Sequence, residues 1–347
     1  MSKHLINCGM PYHPVTIKDL AKRLNISVST VSRALRNTTD INADTKRAVL
    51  DLAKELNYEP NVMAQGLVKR KTKIIGVIVP VINSNYFSQA LSGMTEVASE
   101  FDYHLMFCQS NENSEEEIKC IKKLLACHVD GLLISVSKDT SNSSELEKVK
   151  QMEIPIVMFD RTLLDFPCNK VVVDEYEGAF RAVEHLIKKG CKRIAHVAGP
   201  VNTSVSVNRM NGYLDALSRY GLEQDSNLIY RCEAFEENAI DAIKKILRQK
   251  PLPDGIFFIN DLSAIAAIKY MKKKGIRIPE DIRIAGFNDD PVSDMIEPSL
   301  TTVMQPGYEV GKLAMRMVVD EIRIPRNDYQ TITLRTQLII RESSKGR

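Results

Sequence analysis

Five residues within seven positions, Ser27, Ser29, Thr30, Ser32 and Arg33, set short hydroxyl donors beside one fork-shaped cation. Hydroxyls and backbone N–H groups at a helix start bond phosphate oxygens, and a guanidinium can meet O6 and N7 of a guanine together. That is chemistry for reading a duplex; the polar face of a small helical bundle is the plainer alternative. A second set lies far along the chain, just after apolar runs that read as strands. It comprises Asp160-Arg161, Asn260-Asp261, Asn288 and Gln305, with Arg209 opening a helix and Tyr86-Phe87 following the first run. Carboxylates, amides and a guanidinium read the hydroxyls or ring heteroatoms of a small polar ligand, and aromatic rings cover its face. Taken singly, each is as readily a helix cap or an ion pair, and Asp261, Asp289 and Asp290 in particular could be caps.

Catalytic spacings are missing. There is no G-x-x-x-x-G-K-[ST], since Gly307 to Lys312 falls one residue short, and no G-x-G-x-x-G, G-x-S-x-G or H-E-x-x-H. The histidines never reach metal-ligand spacing, and the 7 cysteines form no C-x-x-C pair, which fits reduced thiols. The expectation is a protein that is not an enzyme and uses no cofactor or metal.

The elements that must hold these residues follow from length and pattern. A chain of 347 residues, 44% hydrophobic and 26% charged, is long enough for several cores. Its apolar runs stay far below the roughly 20 residues of a membrane span, and residues 1–14 lack the apolar stretch of a secretory signal. A cytoplasmic protein with no membrane partner is expected. Residues 1–72 carry 12 Lys and Arg against 6 Asp and Glu, leaving 35 basic and 38 acidic residues for the remainder. A basic head on a mildly acidic body suggests that the head meets a polyanion.

In that head, Ile17, Leu20, Ala21 and Leu24 fall at i, i+3, i+4 and i+7, with Thr16 placed as a cap. Ser27 can cap a second short helix carrying Val31 and Leu35, and a third follows Asn42. Three helices with a tight turn between the first two form a helix-turn-helix. Next comes Asn61 to Thr72, weak as a helix because of Gly66. There Leu67 is an apolar wedge among Lys69, Arg70 and Lys71, able to enter a minor-groove base step. A flexible basic linker is the competing reading. From Lys73 onward, short β-branched runs alternate with amphipathic helices, which predicts parallel sheets with helices on both faces. Two such runs give two doubly wound subdomains with a cleft at their carboxyl ends.

Val15–Leu35, the stretch Asn57-Tyr-Glu-Pro-Asn-Val-Met-Ala-Gln-Gly-Leu67, and Ile75-Gly-Val-Ile-Val-Pro80 together resemble the lactose-repressor/galactose-repressor (LacI/GalR) family of bacterial transcription regulators. The resemblance covers nearly all of the chain from Val15. It implies an α/β protein: a helix-turn-helix head joined by a hinge helix to a two-subdomain, periplasmic-binding-protein-like body. The implied divisions are an N-terminal extension at 1–14, the head at 15–60 and the hinge at 61–72. One subdomain would take 73–161 plus about 306–326, the other 162–305 plus about 327–347. By position, Ser27, Val28, Ser29, Ser32 and Arg33 would face the major groove, with Thr16 and Thr30 also on the DNA side. Tyr58 and Asn61 would contact the backbone, and Leu67 would be the minor-groove lever. Asp160, Arg209, Asn260, Asn288 and Gln305 would touch an effector, and Tyr86-Phe87 would be its aromatic pair; Arg161 and Asp261 join them by their place after strand ends. The implied partners are double-stranded operator DNA, a second copy of the chain, and a sugar-like small molecule or a protein co-regulator.

Overall fold

The computed structural model describes residues 15–35, 41–58, 71–232, 237–326 and 328–345, in two units, Met1–Thr72 and Lys73–Arg347. The expected N-terminal extension and most of the expected hinge, with Asn61 and Leu67, lie outside the described residues.

Local capping sets the first unit. Asp19 accepts from the backbone N–H and the hydroxyl of Thr16 at 2.8 and 2.7 Å, closing the first turn of α1 (Ile17–Leu24). Asn25 ends it in the left-handed region, a conformation asparagine tolerates. The Ser27 hydroxyl accepts from the Thr30 N–H at 3.1 Å and starts α2 (Val28–Leu35). Asn42 does the same for the Asp44 N–H at the head of α3 (Ala43–Glu55). The three helices close over Leu20, Ala21, Val31, Ala34, Val49 and Ala53.

The second unit alternates as its pattern predicts. In order come β1 (Ile74–Val79), α4 (Asn85–Glu100), β2 (His104–Gln109), α5 (Ser114–Ala126), β3 (Gly131–Ile134), α6 (Ser144–Gln151) and β4 (Ile156–Phe159). Then follow β5 (Asn169–Val173), α7 (Glu175–Lys188), β6 (Ile194–Ala198), α8 (Ser204–Arg219), β7 (Ile229–Arg231) and α9 (Glu237–Ile246). Next are β8 (Gly255–Phe258), α10 (Asp261–Lys273), β9 (Arg283–Ala285), α11 (Val292–Met295) and β10 (Thr302–Met304). The chain closes with α12 (Gly307–Arg323), β11 (Thr331–Leu334), β12 (Gln337–Ile339) and α13 (Glu342–Lys345). Strand β1 shows why the sheets are parallel and covered on both faces. Ile75, Val77 and Val79 enter one core beneath α4 and α12, while Ile74 and Ile78 enter the opposite one.

Two parallel sheets result, ordered β11-β5-β4-β3-β1-β2 and β7-β6-β8-β9. A short antiparallel pair, β10 with β12, extends the second through a bridge between Asn288 and Met304. The division of the subdomains at residue 161 is corrected here. Strand β5 pairs with β4, and β11 returns to pair with β5, so both belong to the first sheet. Alternation along a strand reports which side is buried, but the sheet it joins depends on where the chain crosses over. The chain passes between sheets after β5, after β10, and between β11 and β12. Helices α4 and α12 touch backbone to backbone. A Cβ on Gly311 would run into the Ala90 carbonyl, and one on Gly93 into that of Tyr308.

Candidate functional site

On the first unit, Ser27, Val28, Ser29 and Arg33 are exposed on α2 and its cap, with Thr30 and Ser32 half-buried beside them. Val28 is 42% exposed, an apolar side chain left at the surface among hydroxyls. The Ser27 hydroxyl lies 2.7 Å from that of Ser29 and 2.8 Å from that of Thr30. Arg33 Nε donates to the Ser29 carbonyl at 3.4 Å, laying the guanidinium along the helix. Lys18, Lys22 and Arg23 are exposed on α1. Thr16 is exposed but bound to Asp19. Tyr58 packs its ring on the head core, and burial raises its phenol above the ordinary value.

In the second unit a cavity of about 380 Å³ opens at the carboxyl ends of both sheets. Every residue expected there from the sequence lines it: Tyr86, Phe87, Asp160, Arg161, Arg209, Asn260, Asp261, Asn288 and Gln305. The positions follow from the fold, since each lies at or just beyond a strand end or in the helix that follows. Tyr86 and Phe87 meet edge to face at 5.4 Å, and Phe87 meets Phe159 at 6.3 Å.

Arg209 is 4% exposed. Its Nε donates to Glu175 Oε2 at 2.6 Å, Nη1 donates to the Ile259 carbonyl, and Cζ sits 3.6 Å from the Phe287 ring centroid. The guanidinium plane is thereby fixed. Burial pushes the Glu175 carboxyl up, with the charge of Arg209 opposing. Asp160, in the left-handed region, accepts from the Ser135 hydroxyl at 3.0 Å; burial raises its carboxyl against the pull of Arg161. Arg161 in turn donates from Nη1 to Glu112 Oε2 at 2.6 Å.

Asn260 caps α10, its Oδ1 accepting from the Ser263 N–H at 2.9 Å, so its amide nitrogen remains for the cavity. Gln305 Nε2 donates to Asn288 Oδ1 at 2.7 Å. Asp261 is a structural tie. Its carboxylate accepts from the hydroxyls of Thr302 and Ser293 and from the Asp290 N–H, and burial lifts its pKa to about 6. It reaches the cavity wall with its acceptors already occupied.

Among the residues not expected are two carboxylates, Glu112 on the cavity wall and Glu175 behind Arg209. Both follow strand ends, β2 and β5, which is the same signal that selected the others. Three buried side-chain atoms on this wall have no hydrogen-bond partner among the described residues: Tyr86 Oη, Glu112 Oε1 and Gln305 Oε1. An unpaired buried hydroxyl costs about 1–3 kcal/mol. Burial, helped by the charges of Asp160 and Glu175, also holds the Tyr86 phenol protonated well above its ordinary range. Tyr86→Phe is therefore expected to leave the melting temperature of the unliganded protein unchanged or higher. A clear fall in thermal unfolding would mean that the hydroxyl already serves the fold.

A helix-turn-helix unit and a two-sheet body with its cavity at the strand ends have direct counterparts. Residues 16–61 match the bacterial regulatory proteins of the lacI family, and residues 183–344 match the periplasmic binding protein-like domain. The ribose operon repressor of Halalkalibacterium halodurans is 32% identical over 331 residues, covering 95% of this chain and 97% of that one. The transcriptional regulator CelR in complex with cellobiose is 27% identical with a TM-score of 0.73, covering 95% of this chain and 99% of that one. The Lac repressor dimer bound to operator and an anti-inducer shares the fold, with a TM-score of 0.81 at 23% identity over 96% of this chain and 99% of that one. The chain belongs to the lacI family of bacterial regulatory proteins, DNA-binding regulators of transcription.

Proposed function

We propose that the protein is a homodimeric repressor that holds a pseudo-palindromic operator and is controlled by a sugar bound in the cavity of its body. The observation that carries this reading is the gathering of nine separately expected polar and aromatic side chains around one cavity, with buried polar atoms still unpaired. In this account α2 enters the major groove. Arg33 reads a guanine, worth about 1–3 kcal/mol of discrimination, and Ser27, Val28, Ser29 and Ser32 meet neighbouring bases and phosphates. Thr16, Thr30, Tyr58 and Asn61 fix the backbone, and Leu67 enters the central minor-groove step.

The sugar lies over Tyr86 and Phe87. Asp160, Arg209, Asn260, Asn288 and Gln305 bond its hydroxyls, and Arg161 and Asp261 hold the wall. Because the cavity is lined from the strand ends of both sheets, occupation biases the angle between the two sheets and hence operator affinity. The protein catalyses no reaction in this account, and it works in the cytoplasm beside the chromosome. Selection of bound duplexes from a random pool by the full-length protein tests the DNA side. A two-fold symmetric motif of about 14–18 base pairs with a flexible central step is expected. A pool that stays random, with affinity set by salt alone, would contradict it.

A further inference from the structure

Charge and hydrogen-bond demand on the cavity wall narrow the ligand beyond "sugar". Among the described residues, Glu112 Oε1 and Gln305 Oε1 are buried acceptors without partners, and Tyr86 Oη is a buried hydroxyl without one. Asp160 adds a carboxylate of which only Oδ2 is engaged by a hydroxyl, that of Ser135. These atoms come from four places in the fold: the start of α4, the loop after β2, the loop after β4, and the crossing after β10. A ligand that fills the site must bring hydrogens to most of them.

Both guanidinium groups of the same wall are already held in ion pairs. Arg161 is paired with Glu112 at 2.6 Å, and Arg209 with Glu175 at 2.6 Å. Lys138, the remaining cation there, has a partner of its own. A phosphate brings about −1.5 to −2 charge and oxygens that only accept. Inside this cavity it would face Glu112 and Asp160 and give nothing to the orphaned acceptors. A neutral polyol brings one donor per hydroxyl and no charge.

We propose that the cavity selects an uncharged polyhydroxylated ligand over its phosphorylated counterpart, with Glu112 as the residue that sets the choice. The inference rests on the reading of the cavity as a sugar site and deepens it. Glu112 acts through both oxygens. Oε2 neutralises Arg161 and removes it as a phosphate anchor, while Oε1 accepts from a ligand hydroxyl.

The test is titration calorimetry on the full-length protein with D-ribose, D-glucose and cellobiose, set against ribose 5-phosphate and glucose 6-phosphate. A neutral member is expected to bind at least ~100-fold more tightly than its phosphorylated partner, the ratio that like-charge juxtaposition of several kcal/mol produces. Glu112→Gln should shrink that ratio by about 10-fold, weakening the neutral sugar and strengthening the phosphorylated one. Gln305→Glu, which adds an anion to the same wall without touching the Glu112–Arg161 pair, should widen it. Equal or tighter binding of a phosphorylated sugar overturns the selectivity while leaving a sugar-controlled repressor standing. Binding by neither series, in protein whose thermal unfolding is cooperative, overturns the sugar reading itself and this inference with it.

Discussion

Arg209→Ala is expected to abolish the response of operator binding to the sugar and to lower the melting temperature of the body by about 5–9 °C. The two effects have different origins. The guanidinium is 4% exposed and its Glu175 partner 5% exposed, so truncation leaves a carboxylate buried with nothing opposite it. Breaking such a pair costs about 3–5 kcal/mol, because burial already disfavours the Glu175 charge and only Arg209 offsets that strongly. The contact with the Phe287 ring is lost at the same time. The response fails because the cavity loses the donor that Glu175 and Phe287 hold in place. Adding Glu175→Gln removes the stranded charge, so the double variant should regain much of the melting temperature and none of the response. Thermal unfolding and fluorescence anisotropy with labelled operator separate these outcomes. A normal response in Arg209→Ala would take Arg209 out of the site, and a response rescued by Glu175→Gln would reduce it to a structural residue.

Leu20→Ala should remove operator binding altogether while leaving ligand binding by the body within about twofold of normal. Leu20 is among the largest fully buried side chains, and of the five buried residues around it three are alanine: Ala21, Ala34 and Ala53 beside Val31 and Val49. Deleting a buried leucine costs about 2–5 kcal/mol. A head of this size holds only a few kcal/mol in all, at roughly 0.05–0.15 kcal/mol per residue. The substitution therefore spends most or all of the head's stability. The body has its own four cores on the faces of two sheets and shares none of these residues. Anisotropy for the operator and calorimetry for the sugar give the two readouts. Loss of both activities would mean that the two units do not fold independently.

These predictions draw on features of unequal legibility. The head was readable almost to the residue because its information is local. Thr16, Ser27 and Asn42 sit at helix starts and the apolar spacing gives one buried face, so α1, α2 and α3 form where the pattern places them. In the body, the succession of strands and helices was equally plain, but the membership of the sheets was not. Asn169–Val173 and Thr331–Leu334 look like any half-buried strands, and only long-range pairing assigns them to the first sheet. The nine cavity-lining positions were legible because strand ends are the one place an open parallel sheet offers a ligand.

Side-chain duties were not legible. Glu112 reaches Arg161 across 49 positions and Glu175 reaches Arg209 across 34, so neither pairing leaves a local trace. Asp261 carries the right chemistry for a ligand contact, yet Thr302, Ser293 and the Asp290 N–H take up its carboxylate.

The central claim is that a molecule in the body's cavity changes the affinity of the head for a symmetric operator. The measurement that tests it most directly is the operator dissociation constant of the full-length protein, on the duplex recovered by selection. It is taken with and without the neutral sugar that raises the melting temperature. The account predicts a shift of roughly 5–150-fold, with the sugar's own affinity changed by the same factor when operator is present. An operator affinity indifferent to a sugar that demonstrably occupies the cavity would contradict it.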